Sequence, residues 1–185
     1  MTSALLVMDV QNAIVARFAA DDLLARLNRA ISAARAAGVP VVYVRVAFRD
    51  GYPEVSPSNR TFSAIAGQGG YGLDDDATRI HPAVAPRPGD VVVLKKRVSA
   101  FAGSDLAEVL RAGGVDTLVL TGIATSGVVL STIRAAADLD FRLVMLADGC
   151  ADADPEVHRV LIEKVFPRQA EVLTVDAWAE GLTRL

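Results

Sequence analysis

Val115-Asp116-Thr117-Leu118-Val119-Leu120-Thr121-Gly122-Ile123-Ala124-Thr125-Ser126-Gly127-Val128-Val129-Leu130-Ser131-Thr132 is the stretch that decides the fold, because a strand runs into a helix start within it. Val115–Leu120 is a nearly uninterrupted apolar run, as expected of a strand covered on both faces. Ser126 to Asp138 reads as a helix opening directly from that strand, with Ser126 suited to cap it. Strand, short loop and helix N-terminus in this order are half of a βαβ unit.

The alternation extends both ways along the chain. Five more apolar runs read as strands: Ala4–Met8, Val39–Val46, Val91–Leu94, Leu143–Ala147 and Glu171–Val175. Between them Asp21 or Asp22 caps a helix through Ala37, which Gly38 ends before Pro40. Ser104 caps a helix ending at Gly113-Gly114. Asp154-Pro155-Glu156 starts another, with Asp at the cap and Pro in the first turn. A last helix covers Asp176 to Leu182. Six strands alternating with helices imply right-handed crossovers and one domain over residues 1–185. The predicted architecture is α/β, a three-layer α-β-α, doubly wound, Rossmann-like fold with six mostly parallel strands. Its ligand site belongs at the carboxyl ends of the strands. Phe48 to Pro88, around Gly67-Gln68-Gly69-Gly70-Tyr71-Gly72, reads as one long irregular segment. Such a segment is either a flexible surface loop or functional, as a lid or a subunit contact.

Composition agrees with this architecture. Of the 185 residues 52% are apolar and only 5% aromatic, so the interior is built from Val, Leu, Ile and Ala. The surplus of apolar residues suggests a homo-oligomer, a dimer or tetramer. A net charge of −3 gives no reason to expect nucleic acid or an anionic membrane as partner. Met1 to Gln11 lacks a basic opening and reads as a buried strand, not a signal peptide. No apolar stretch approaches the ~18 residues that cross a bilayer. The one cysteine, Cys150, cannot form an internal disulfide, which fits a reducing, cytoplasmic setting.

Charged residues at strand ends are the candidates for chemistry. Asp9 follows Leu5-Leu6-Val7-Met8 and either faces a partly desolvated cleft or caps the next turn. Gln11 and Asn12 come directly after it. Lys95 ends the third strand and is either a solvated strand end or a partner for Asp9. A carboxylate and an ammonium on one cleft tune each other for proton transfer. Lys96 alternates to the other side of the strand and reads as structural. Arg45, at the end of the second strand, can meet a substrate carboxylate or an ion-pair partner on the sheet rim. The loop from Ile123 through Ala124, Thr125 and Gly127 to Val128 opens a helix, whose free amides favour a negative ligand or an oxyanion. The two histidines, His81 before Pro82 and His158 on a helix surface, lack ligand spacing, so neither metal nor cofactor is expected.

Four segments, in order, resemble one family. They are Leu5-Leu6-Val7-Met8-Asp9-Val10-Gln11-Asn12, Lys95 through Phe101 to Leu106, Thr121 to Thr132, and Leu146-Ala147-Asp148-Gly149-Cys150-Ala151-Asp152. Together they are similar to the isochorismatase-like cysteine hydrolases. The family's lysine lies six residues before its Phe, which selects Lys95 over Lys96. The resemblance implies an Asp–Lys–Cys triad whose cysteine would fall at Val128, where no thiolate can form. It also implies a cis peptide at Ile123–Ala124 and a non-catalytic role for Cys150. Family members that cleave isochorismate need no cysteine: an aspartate protonates a vinyl ether carbon, water adds, and the hemiketal collapses. The nicotinamidase branch carries a metal site after the second strand, but Arg45-Val46-Ala47-Phe48-Arg49-Asp50 has no histidine.

Three functional readings follow. In the leading one the chain hydrolyses a small anionic molecule without a covalent intermediate. Asp9 is then the acid/base, Lys95 its electrostatic partner, and Gln11, Arg45, Ile123, Ala124, Thr125, Gly127 and Val128 bind substrate. In the second the chain binds a ligand or partner without turnover. In the third it is an amidohydrolase with a displaced nucleophile, Ser126 or Cys150.

Overall fold

β1 (Ser3–Met8) is apolar on both sides, and its side chains divide accordingly. Ala4, Leu6 and Met8 enter one buried cluster, while Leu5 and Val7 enter another, as the two-residue period of a strand demands. Both faces must therefore be covered by helices. The computed structural model of the chain describes residues 2–18 and 21–183; the cap expected at Asp21 lies outside the described side chains. Its elements include β2 (Val41–Val46), β3 (Val91–Lys95), β4 (Thr117–Ile123), β5 (Arg142–Ala151) and β6 (Glu171–Leu173). They form one sheet in the order β3-β2-β1-β4-β5-β6, and all pairings are parallel.

The helices α1 (Asn12–Val15), α2 (Asp21–Ala36), α3 (Arg60–Gln68), α4 (Leu106–Ala112), α5 (Leu130–Asp138), α6 (Pro155–Val160) and α7 (Val175–Leu182) are distributed around it. α2 and α7 cover the Leu5/Val7 face through Leu27, Ile31 and Trp178. α4 and α5 cover the other through Leu106, Leu110 and Ile133. The chain moves from β1 outward to β3, then returns to β4 on the far side of β1. A crevice opens at that reversal, where helices leave to opposite faces. Gly122 makes the approach of β4 to β1 possible. Its φ is 143° and a Cβ there would lie 2.2 Å from the Met8 carbonyl oxygen.

Several element ends differ from the sequence reading for local reasons. β5 runs on to Ala151 because it bulges: Leu120 pairs with Met145, but Gly122 pairs with Cys150. α4 begins at Leu106, two residues after Ser104, whose hydroxyl accepts from the Leu106 N–H at 3.4 Å as expected and donates to the Ala100 carbonyl at 2.5 Å. Ser126, by contrast, is not a cap. Thr125–Val129 forms a wide π-type turn before α5, with Gly127 at φ −96° and ψ −105°. Asp154 does cap α6, accepting from the Glu156 N–H at 2.9 Å.

The largest correction concerns Phe48 to Pro88, which is ordered rather than irregular. It holds α3, capped by Asn59, whose side chain accepts from the Phe62 N–H at 3.1 Å. Two short 3₁₀ turns follow, at Asp76–Thr78 and Pro82–Val84. Phe48, Phe62, Tyr71 and Val46 build a third apolar cluster, with the Phe48 and Phe62 rings edge-on at 5.6 Å. Among the described residues no helix is long and apolar enough to cross a membrane.

Candidate active site

Asp9 follows β1 in the left-handed backbone region, at φ 56°, a conformation a non-glycine residue holds only when its surroundings enforce it. Its N–H donates to the Val44 carbonyl at 2.8 Å, which extends the β1–β2 pairing by one step. Lys95 closes β3 opposite Val46. Its Nζ lies 2.8 Å from Asp9 Oδ2 and donates to the carbonyls of Arg97 and Val98, each at 3.0 Å. All three ammonium protons are thereby used. Both residues are buried, with 2% of Lys95 and 6% of Asp9 exposed.

The other carboxylate oxygen, Asp9 Oδ1, is buried and has no hydrogen-bond partner. Burial pushes the Asp9 carboxyl above its ordinary range, and the charge and hydrogen bond of Lys95 pull it down without restoring it. Lys96 points the other way, to the Ala47 carbonyl, to Glu54 at 3.6 Å and over the Phe48 ring. The alternation read from the sequence separates the two lysines correctly.

Asp9 and Lys95 open onto a cavity of about 330 Å³. Ile123, Ala124, Gly127 and Val128 bound it on the β4 side, and Val128 is only 2% exposed. The peptide between Ile123 and Ala124 is cis. Phe62, Ile65 and Tyr71 form another wall, and half-buried Ile14 and Phe18 with exposed Arg17 line the solvent side of the cavity. None of these six was singled out in the sequence. The spacing of Ile14 and Phe18, one helical turn apart, was the available signal.

Three expected binding residues lie elsewhere. Gln11 is fully buried and spends its amide on backbone: it donates to the Val46 and Thr78 carbonyls at 2.9 and 2.8 Å and accepts from the Val46 N–H at 2.9 Å. Arg45 donates to the Leu73 and Thr78 carbonyls at 3.1 and 3.3 Å and faces a separate surface depression beside Asp74 and Arg79. Both hold the Phe48–Pro88 segment onto the sheet. Thr125 is buried with its hydroxyl 2.8 Å from His158 Nδ1, so His158 is a half-buried contact rather than a helix-surface residue. Burial pushes the His158 ring down, against the raising influence of Asp152.

The two candidate substitute nucleophiles also point away from the cavity. Cys150 is 6% exposed with its Sγ 4.0 Å from the Leu120 carbonyl. Burial pushes its thiol up to about 12. Ser126 is exposed and its N–H donates to Asp152 Oδ2 at 2.7 Å.

Comparison with known proteins agrees with this arrangement. An isochorismatase domain model matches residues 3–177. The isochorismatase family protein YecD of Escherichia coli O157:H7 is 34% identical over 181 residues, covering 95% of this chain and 93% of that one. The ureidoacrylate amidohydrolase RutB of Stutzerimonas stutzeri (strain A1501) is 36% identical, over 95% of this chain and 77% of its own. A cysteine hydrolase structure from Pseudomonas syringae pv. phaseolicola 1448A superposes with a TM-score of 0.88 at 26% identity, covering 98% of this chain and 92% of that chain. N-carbamoylsarcosine amidase from Thermoplasma acidophilum superposes at 0.76 and 27%, covering 95% and 98%. With the sheet order, the Asp9–Lys95 pair and these matches together, the chain belongs to the isochorismatase family.

Proposed function

We propose that this isochorismatase-family hydrolase cleaves a small anionic molecule by acid–base catalysis, with Asp9 as the proton-transferring group and no covalent intermediate. The observation that carries the reading is Asp9 Oδ1, a buried oxygen without a partner on a carboxyl that burial has pushed up. Lys95 holds Oδ2 and fixes the carboxyl plane, so Oδ1 is left for the ligand. In the first step Oδ1–H gives its proton to the leaving heteroatom or, in a vinyl ether, to the alkene carbon, which makes the neighbouring ether carbon electrophilic. Water then adds to the electrophilic carbon and gives a proton to Oδ1, which resets the acid, and the bond to the leaving group breaks as the tetrahedral adduct collapses.

Developing negative charge would be met by the amides of Ala124 and Val128 at the turn before α5. The amides of Gly127 and Val129 are less suited, since both donate to the Ala124 carbonyl, at 3.1 and 3.3 Å. Val128 occupies the place where the family resemblance puts a nucleophilic thiol, which is why the route is written without an acyl-enzyme. The amidohydrolases among the relatives make amides and ureido compounds substrate candidates beside vinyl ethers and esters.

A panel of vinyl ethers, amides and esters, followed by product and by thermal shift, tests the reading. Asp9→Asn should lower turnover of any hit by about 10²–10⁴-fold while leaving the fold intact. Full turnover by Asp9→Asn would remove Asp9 from the chemistry. Ligand-induced stabilisation with no turnover across the panel would make the chain a binder. A covalent adduct lost on mutating Ser126 or Cys150 would favour the displaced nucleophile.

A further inference from the structure

We propose that Arg17 is the anion-recognition group of this cavity, and that the ligand is a small monoanion with an apolar body. The inference deepens the hydrolase reading and rests on the cavity being the substrate site. It starts from charge. Three charged side chains line the cavity: Asp9, Lys95 and Arg17. Lys95 spends its three donors on Asp9 Oδ2 and on the Arg97 and Val98 carbonyls, so it has none left for a ligand. Among the described residues Arg17 is then the one cation lining the cavity whose donors are open to an anion.

Arg17 differs in this from the other arginines near the site. Arg45 is tied to the Leu73 and Thr78 carbonyls, and Arg97 donates to the Lys96 and Glu54 carbonyls. Among the described residues no carboxylate, carbonyl or ring is recorded against the Arg17 guanidinium. The backbone holds its place: the Arg17 N–H donates to the Ile14 carbonyl at 3.0 Å, in the turn that closes α1. A guanidinium without a protein partner, at the rim of a half-enclosed apolar space, suits bidentate contact with a carboxylate or phosphate.

The remaining lining sets the rest of the ligand. Between Arg17 at the mouth and Asp9 at the floor the surface is Ile14, Phe18, Phe62, Ile65, Tyr71 and Val128. No further charge is offered along that path. A ligand that satisfies both ends carries its anionic group at one end, its scissile group at the other, and an aromatic or branched hydrocarbon between them. This is also a different anchor from Arg45, which the sequence suggested for the same purpose.

The test is a binding measurement and so does not depend on turnover. Calorimetric Kd values for 3-phenylpropionate and its uncharged analogue 3-phenylpropionamide would be compared in the wild type, Arg17→Gln, Arg17→Lys, Phe62→Ala and Asp9→Asn. The wild type should prefer the carboxylate. Arg17→Gln should weaken carboxylate binding about tenfold or more and leave the amide unchanged, with Arg17→Lys in between. Phe62→Ala should weaken both probes, because both lie against the same wall. Asp9→Asn should keep the carboxylate preference, so a failure of the acid–base reading would leave this result standing. Equal binding of the two probes by the wild type would overturn the proposal. So would an unchanged preference in Arg17→Gln, no effect of Phe62→Ala, or no binding of either probe at millimolar concentration.

Discussion

The floor and the wall of the cavity are built in opposite ways. The floor consists of strand ends: Asp9 after β1, Lys95 closing β3, and the turn from Ile123 to Val128 after β4. Its ionisable pair is buried, and each member is placed by the end of a strand. The wall consists of Phe62, Ile65 and Tyr71 from the Phe48–Pro88 excursion, held by a satellite cluster and by polar ties to the sheet rim. The proposed proton transfer is thus tied to the stability of the whole domain, and the proposed selection of ligand shape to a segment with a smaller core of its own. The same division places function where families of one fold diverge, in connections rather than in strands.

Breaking the floor should have the largest effect. Lys95→Met removes the ammonium but leaves the Asp9 carboxyl buried at the switch point. Removing one partner of a buried pair costs about 3–5 kcal/mol, and turnover should be lost with it. Chemical denaturation of Lys95→Met and the double variant Lys95→Met/Asp9→Leu separates the causes. The double variant should regain much of the stability and none of the activity. A single variant as stable as the wild type would mean that the pair is not buried in solution.

Breaking the wall comes next. Phe62→Ala opens the third cluster, where truncation of a buried Phe costs roughly 3 kcal/mol when the surroundings do not collapse. Because that cluster is separate from the two main cores, the loss should appear as local opening. Hydrogen exchange should rise at the Phe48 and Tyr71 amides, which bond to the Tyr71 carbonyl and the Tyr52 hydroxyl. β1 and β4 should stay protected. KM should rise more than kcat falls, and Phe62→Leu should recover most of both. Equal loss of protection in β4 would show that floor and wall unfold together.

A pH profile sharpens the floor side alone. In the proposed route Asp9 acts first as an acid, and burial has raised its carboxyl above the ordinary aspartate range. The competent form is therefore the protonated one. Turnover should be constant below the raised value and fall tenfold per pH unit above it. A limb that rises with pH would make Asp9 a base in the first irreversible step.

The same two regions explain what could be seen in the sequence. Strand ends announce themselves: an apolar run stops and a charge follows, so Asp9 and Lys95 were legible, as was the sheet they end. Val128 was legible only through the family resemblance, which puts the cysteine at its place in the turn after β4. Arg45 had the same signature as Lys95 and was misassigned, because the carbonyls that engage it come from Leu73 and Thr78, far along the chain. Gln11 failed for the same reason, its partners being Val46 and Thr78. α3 escaped notice because only Phe62 in it is buried, which leaves no periodic stripe to read. Its order comes from contacts between residues that are distant in sequence. The π-type turn at Thr125–Val129 and the Thr125–His158 contact are likewise tertiary results, hidden behind an ordinary helix pattern.

The smallest effect is expected at the ties between wall and floor, and there the sign of the pH dependence is the more telling quantity. Glu54 joins the excursion to the end of β3 through Lys96 at 3.6 Å and is held within the excursion by Arg49 at 2.7 Å. Burial pushes its carboxyl up, but the N–H groups of Glu54 and Arg49 and the Lys96 ammonium outweigh that and hold it below its usual range. A lowered carboxyl favours the folded state above the unfolded value and loses that contribution as pH falls through the folded one. Glu54→Gln should therefore be less stable than the wild type at neutral pH, by under about 1 kcal/mol for a rim pair. The difference should vanish on acidification, and kcat should not change. Asp9 carries the reverse sign, since its raised carboxyl favours the folded state at low pH and gives that up as pH rises. Parallel denaturation series on Glu54→Gln and Asp9→Asn should therefore both converge on the wild type on acidification and part from it with opposite signs as pH rises, Glu54→Gln becoming the less stable and Asp9→Asn the more stable. A gain in stability for Glu54→Gln as well would mean that Glu54 is as desolvated as Asp9, and that the excursion packs against the sheet as tightly as the strands pack against each other.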